Sequence, residues 1–138
     1  MEETLEKNIA IELDQPDEAT VLERISRAFL ITDMQSVRSG ITTSGATAVV
    51  ALLKSEGAER KLFVANVGDS RAVLVCEKSS ESDPEPTSSG FYARRLTYDH
   101  RAEDEEEQQR IKDAGGFIAR GRVLGILAVS RSFGDHGM

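Results

Sequence analysis

The sequence predicts an α+β protein whose strands pair antiparallel and whose helices flank them, on three observations. The first is Leu62-Phe63-Val64-Ala65-Asn66-Val67-Gly68-Asp69-Ser70-Arg71-Ala72-Val73-Leu74-Val75, two apolar stretches about a polar break. Val, Phe and Leu suit a pleated surface, Gly68 can take the positive φ of a sharp reversal, and Asp69 and Ser70 can bond back to the turn. A short apolar run can also be buried helix, but the turn residues and β-branching favour a β-hairpin. Neither arm alternates apolar with polar residues, so the hairpin is expected to be buried on both faces. The second observation is residues 47–53, β-branched and apolar, closed by a polar turn at 54–60. Its short connection to the hairpin implies antiparallel pairing of three consecutive strands. The third is helical periodicity before these strands and the end signals of a helix near residues 103–114.

Bulk properties bound the function. At 138 residues the chain is about one domain long, and residues 1–138 are read as one domain. Its longest apolar run, 46–53, is far short of the roughly 20 residues of a spanning helix, so no membrane partner is expected. The acidic N-terminus does not resemble a secretory signal, and the single Cys76 cannot form an internal disulfide; both point to the cytoplasm or nucleus. A formal charge of −7 opposes nucleic-acid binding, because only Arg94-Arg95 and Arg120 to Arg122 approach a basic cluster in sequence.

In chain order, Leu5, Ile9 and Leu13 fall four residues apart and predict a helix over 1–13, ended by Pro16. Its apolar stripe is narrow, so the helix needs a partner. A second helix starts near Asp17, a candidate N-cap, or at the capping box Thr20 to Glu23. It places Leu22, Ile25 and Phe29 on one face through about Gln35. Residues 39–45 read as loop. Residues 77–90 hold Ser, Glu, Asp and Pro without an apolar side chain, and predict a mobile loop. A strand resumes at 91–96. The acids at 103–107 suit the first turn of a helix ending near Lys112 and Gly115, and lack the alternating donors of a calcium loop. Residues 117–123 read as strand and loop, with Gly121 and Gly125 bracketing a turn, and 126–133 as a short helix or buried turn.

Ala-Asn-Val-Gly-Asp-Ser-Arg-Ala-Val-Leu at 65–74 resembles the signature hairpin of the protein phosphatase 2C family, the metal-dependent serine/threonine phosphatases. Further matches follow in the family's order: Ala28 to Asp33, Ser44-Gly45-Ala46-Thr47-Ala48, Leu96-Thr97-Tyr98-Asp99-His100, Glu107 to Ile111, Ala114-Gly115-Gly116 and Arg122 to Asp135. The resemblance implies part of a sandwich of antiparallel β-sheets flanked by α-helices. It also implies hydrolysis of phosphoserine and phosphothreonine proteins by a water held between magnesium or manganese ions.

The chemistry behind that activity is mostly missing. The family's bridging aspartate lies in an Asp-Gly-His-Gly-Gly segment, and two more metal aspartates lie in Asp-Gly-x-Trp-Asp and Asp-Asn motifs. This sequence has no Asp-Gly, no Asp-Asn and no tryptophan. The upstream arginine that holds phosphate also has no counterpart. Asp99 alone matches a metal-associated aspartate, that of a third, weaker ion, and its other reading is a structural turn residue. His100 and His136 do not make a zinc set with Cys76. Ser70, His100 and Asp135 lack a nucleophile elbow, and Gly115-Gly116 lacks the ending of a phosphate loop. Arg71 and Arg131 are expected to pair with carboxylates rather than to bind substrate phosphate, and Asp69 to brace the hairpin.

No residue is therefore assigned as catalytic. The chain is expected to be a truncated phosphatase domain, inactive alone, with a non-catalytic regulatory or interaction fragment as the alternative. Strand edges left uncovered in such a fragment predict a homodimer or strand-exchanged assembly.

Overall fold

The computed structural model describes residues 2–78, 84 and 90–137. Two helices, α1 (Glu2–Leu13) and α2 (Val21–Arg38), precede β1 (Gly45–Ala46), β2 (Ala48–Glu56), β3 (Glu59–Val67), β4 (Val73–Glu77) and β5 (Phe91–Arg95). Then follow α3 (Glu105–Asp113), β6 (Ile118–Ala119), β7 (Arg122–Val123) and β8 (Phe133–Gly134). The result is the expected mixture of helices and small antiparallel sheets, paired as β1 with β8, β2 with β3, β4 with β5, and β6 with β7.

The helix α1 finds its partner in α2. Leu5 and Ile9 are buried, and the same stripe continues through buried Asn8 and Glu12. This widens the narrow apolar seam by two polar positions that hydrophobic periodicity does not count. Asn8 donates to Thr32 Oγ1 and Gln35 Oε1, both at 2.9 Å, and Arg27 Nε reaches Glu12 at 2.7 Å. Thr20 caps α2: Glu23 N donates to its hydroxyl at 3.3 Å, and Glu23 accepts from Thr20 N at 2.7 Å. Asp17 is not the cap. It accepts from Ala19 N and pairs with Arg24 and Arg27. Ile25 and Ala28 are sealed, whereas Leu22, expected on the same face, lies 54% exposed.

The core joins Leu5, Ile9, Ala28 and Phe133, with Phe29, Ala48, Val50 and Val67 packed against it. Phe29 and Phe133 stack at 5.3 Å with planes tilted by 41°. Phe133 enters from the far end of the chain because residues 126–133 form turns and the short β8, not a helix.

The central hairpin is not formed. The two strands β2 and β3 are one ribbon in register from Ala48↔Val67 to Glu56↔Glu59, so the polar residues at 54–60 are strand ends about a tight turn at Gly57. The strand β4 pairs instead with β5, from Val73↔Arg95 to Glu77↔Phe91. The physical reason lies in residues 68–72, whose backbone is held by residues 96–100. His100 N donates to Gly68 O at 2.9 Å, Leu96 N to Ala72 O at 3.0 Å, and Ala72 N to Thr97 Oγ1 at 3.0 Å. The expected two-sided burial is also absent, since Val73 and Val75 are 56% and 68% exposed. Residues 79–83 and 85–89 of the predicted mobile loop lie outside the described residues; Lys78 N donates to Gly90 O at its base.

The helix α3 follows its sequence signals. Asp104 accepts from the backbone N–H groups of Glu106 and Glu107, and Gly115 beyond the end takes φ +82°. No helix among the described residues is long and apolar enough to cross a membrane.

Candidate functional site

Asp99 lies in the segment that leaves β5 for α3, and it is buried. Three arginines surround it. Arg71, two residues before β4, makes a forked contact, with Nε at 2.9 Å from Oδ1 and Nη2 at 2.7 Å from Oδ2. Arg95, at the end of β5, reaches Oδ1 through Nη2 while its Nε donates to Thr97 O at 2.8 Å. Arg101 Nε reaches Oδ2 at 3.2 Å. The Arg71 guanidinium, helped by that of Arg95, holds the Asp99 carboxyl far below the usual carboxylate range, against a smaller opposing effect of burial.

A second buried carboxylate repeats the pattern. Glu107, in the first turn of α3, accepts from Arg131 Nη2 at 2.5 Å, Arg110 Nη2 at 2.9 Å and the Ser130 hydroxyl at 2.7 Å. Arg131 is the main cause of its lowered pKa. Both arginines named from the sequence, Arg71 and Arg131, thus pair with carboxylates as expected. Arg71's partner is Asp99, not the exposed Asp69.

His100 sits between the two clusters. Gly68 N donates to its Nδ1 at 3.1 Å, which fixes the neutral ring as the Nε2–H tautomer. Burial, reinforced by the charge of Arg131, lowers its pKa below the ordinary value of 6.5. The imagined triad is not assembled: Ser70 is hydrogen-bonded to Thr47 at 2.7 Å, and Asp135 accepts from Ser132 at 2.7 Å. His136 lies elsewhere, 2.9 Å from Ser36 and 3.4 Å from Asp33.

These groups give stability one sign of pH dependence. Asp99 and Glu107 have folded pKa values below their unfolded ones, so their contribution is complete above roughly pH 5 and is lost as pH falls. His100 is also lowered, and its charged form favours the unfolded chain, so its contribution is complete above about pH 7 and declines as pH falls through 6.5. Thermal melts are expected to plateau above pH 7 and fall in two stages on acidification, with His100→Gln removing the first stage.

The donor set does not fit a magnesium or manganese ion. Such ions want several oxygen ligands, whereas both Asp99 oxygens face guanidinium groups. No three His, Cys, Asp or Glu side chains converge among the described residues. Hydrophobic patterning could not expose this arrangement, because Arg71, Arg95 and Arg101 are scattered in sequence. Only the pairing of β4 with β5 brings them together.

Comparison with known proteins agrees with this fold. The model of the family described as Protein phosphatase 2C matches residues 1–138. Protein phosphatase 2C homolog 1 of Saccharomyces cerevisiae is 38% identical over 128 residues, covering 83% of this chain and 41% of that protein. Protein phosphatase 1L of Bos taurus is 44% identical over 96 residues, 67% of this chain and 22% of its own length. A crystal structure of a phosphatase from a pathogenic strain of Toxoplasma gondii superposes with a TM-score of 0.59 at 22% identity, over 94% of this chain and 51% of that one. The chain belongs to the protein phosphatase 2C family, and it spans less than half the length of the curated relatives named here.

Proposed function

We propose that this chain derives from a metal-dependent serine/threonine protein phosphatase and supplies part of that fold without hydrolysing phosphoprotein by itself. The observation that carries the reading is Asp99, the one residue matched to a metal position, with both oxygens engaged by arginines. The absence of Asp-Gly and Asp-Asn dipeptides from the sequence supports it. Magnesium or manganese would be bound, and phosphoproteins cleaved, only where further carboxylates complete the site. The test is hydrolysis of a phosphothreonine peptide with manganese, beside Asp99→Ala and a metal-free control. No turnover by the folded chain is expected; manganese-dependent turnover abolished by Asp99→Ala would sink the proposal.

A second reading, an interaction fragment that self-associates in the cytoplasm or nucleus, is favoured by the uncovered strands. Val73, Leu74 and Val75 are exposed on successive positions of β4, hence on both faces of its ribbon. A second copy seated there would bury them. Light scattering at high concentration is expected to give a dimer mass, and a clean monomer overturns this reading.

A further inference from the structure

We propose that the guanidinium groups of Arg71, Arg95 and Arg101 form a binding site for a tetrahedral dianion, inorganic phosphate or a phosphomonoester, with Asp99 as the carboxylate that organises them. This goes beyond phosphatase descent and uses no metal chemistry, so the hydrolysis result does not decide it.

The argument begins with hydrogen-bond capacity. A carboxylate offers two oxygens, and here both are occupied; a guanidinium offers five N–H donors in a rigid fork. The contacts with Asp99 and Thr97 use the Nε of each arginine and the Nη2 of Arg71 and Arg95. Among the described residues, their other Nη groups have no acceptor. The three side chains are 48% to 49% exposed although the carboxylate beneath them is 8% exposed. Solvent thus meets the outer edges of three forks whose inner edges are pinned.

Charge points the same way. Three guanidiniums around one carboxylate leave local positive charge on a chain of formal charge −7. Asp69, exposed and close enough to act on Arg71, reduces that excess without cancelling it. Forked N–H donors match the oxygens of phosphate, and a charge-assisted bond is roughly twice as strong as a neutral one. Pinning by Asp99 lowers the side-chain entropy lost on binding. A divalent cation is disfavoured at the same place, since it would have to displace guanidiniums from Asp99.

The test uses arginine Nε–H and backbone amide NMR spectra of the full chain, titrated with sodium phosphate at constant ionic strength against chloride. Saturable shifts confined to Arg71, Arg95 and Arg101 are expected, with Arg101→Gln weakening the apparent affinity about tenfold and Arg122→Gln leaving it unchanged. Arg101 makes one contact with Asp99, so its removal leaves the carboxylate two partners. Should the Gln variant fail to fold, Arg101→Lys, which keeps the charge and loses the fork, is expected to weaken binding in the same direction.

A phosphoserine peptide and its unphosphorylated form separate the sources of the dianion. Tighter, arginine-dependent binding of the phosphopeptide than of inorganic phosphate assigns the site to phosphoprotein, and the reverse order assigns it to free phosphate. Shifts no larger in phosphate than in chloride, shifts indifferent to Arg101, or manganese-induced broadening centred on Asp99 would each overturn the proposal.

Discussion

Gly134→Ala is expected to destabilise the fold by about 3 kcal/mol, lowering the thermal midpoint by roughly 10 °C. Gly134 has φ +76°, in the left-handed region, and a Cβ built on it would collide with the Ser44 carbonyl oxygen and crowd Gly45 Cα. The obstacle is backbone, so no side-chain rotation can relieve it. The site also carries unusual weight. Gly45 pairs with Gly134 and Ala46 with Phe133, and Gly134 N donates to Asp33 on α2 at 2.8 Å. Moving Gly134 therefore withdraws the buried Phe133 ring from Phe29 and from the end of the core built by α1 and α2. Gly57→Ala supplies the comparison: φ is +64°, but nothing lies within 4 Å of the added carbon. Only backbone strain remains there, about 1 kcal/mol. Equal losses at the two positions would mean that the contact with Ser44 is not what matters.

What could be read from the sequence follows what is local. The start of α2 was legible in its capping box, Thr20 to Glu23, and that of α3 in its acidic first turn, whereas the cap of α3, Asp104, is disclosed by the fold. The longer strands were legible as strands, and so was the antiparallel pairing of residues 48–53 with 62–67. The partner of 73–77 was not: its pairing with 91–95 depends on how residues 96–100 hold the backbone of 68–72. No periodicity encodes that choice. The candidate site shares this fate. Asp99 could be singled out by resemblance, whereas its three arginines become neighbours only through strand pairing. Buried Asn8 and Glu12 are invisible to hydrophobic periodicity because the partners that bury them, Thr32, Gln35 and Arg27, lie on another helix.

Arg24 is the sharpest case of a residue whose role only the fold discloses, and its loss is the other large effect expected. It lies in the first turn of α2, where a positive charge is unfavourable to that helix's own dipole, yet it is 8% exposed. The reason is the connection from α1. Arg24 Nη1 donates to the carbonyls of Glu12 and Gln15, both at 2.7 Å, Nη2 to Asp17 O at 2.5 Å, and Nε to Ala19 O at 2.9 Å. One guanidinium thereby closes the C-terminal end of α1, where carbonyls lack helical partners and a cation suits the dipole, and fixes the turn into α2.

Arg24→Ala removes these bonds together, but the loop can recover some hydration, so the expected loss is about 3 kcal/mol, not the sum over all acceptors. Urea unfolding should show a lower midpoint at unchanged slope, since the same surface is exposed on unfolding. Arg24→Lys separates charge from geometry. A lysine retains the cation at the end of α1 but cannot reach several carbonyls in the plane of one fork. It is expected to recover less than half of the loss; near-complete recovery would mean that the dipole interaction, and not the forked bonding, holds α1 to α2.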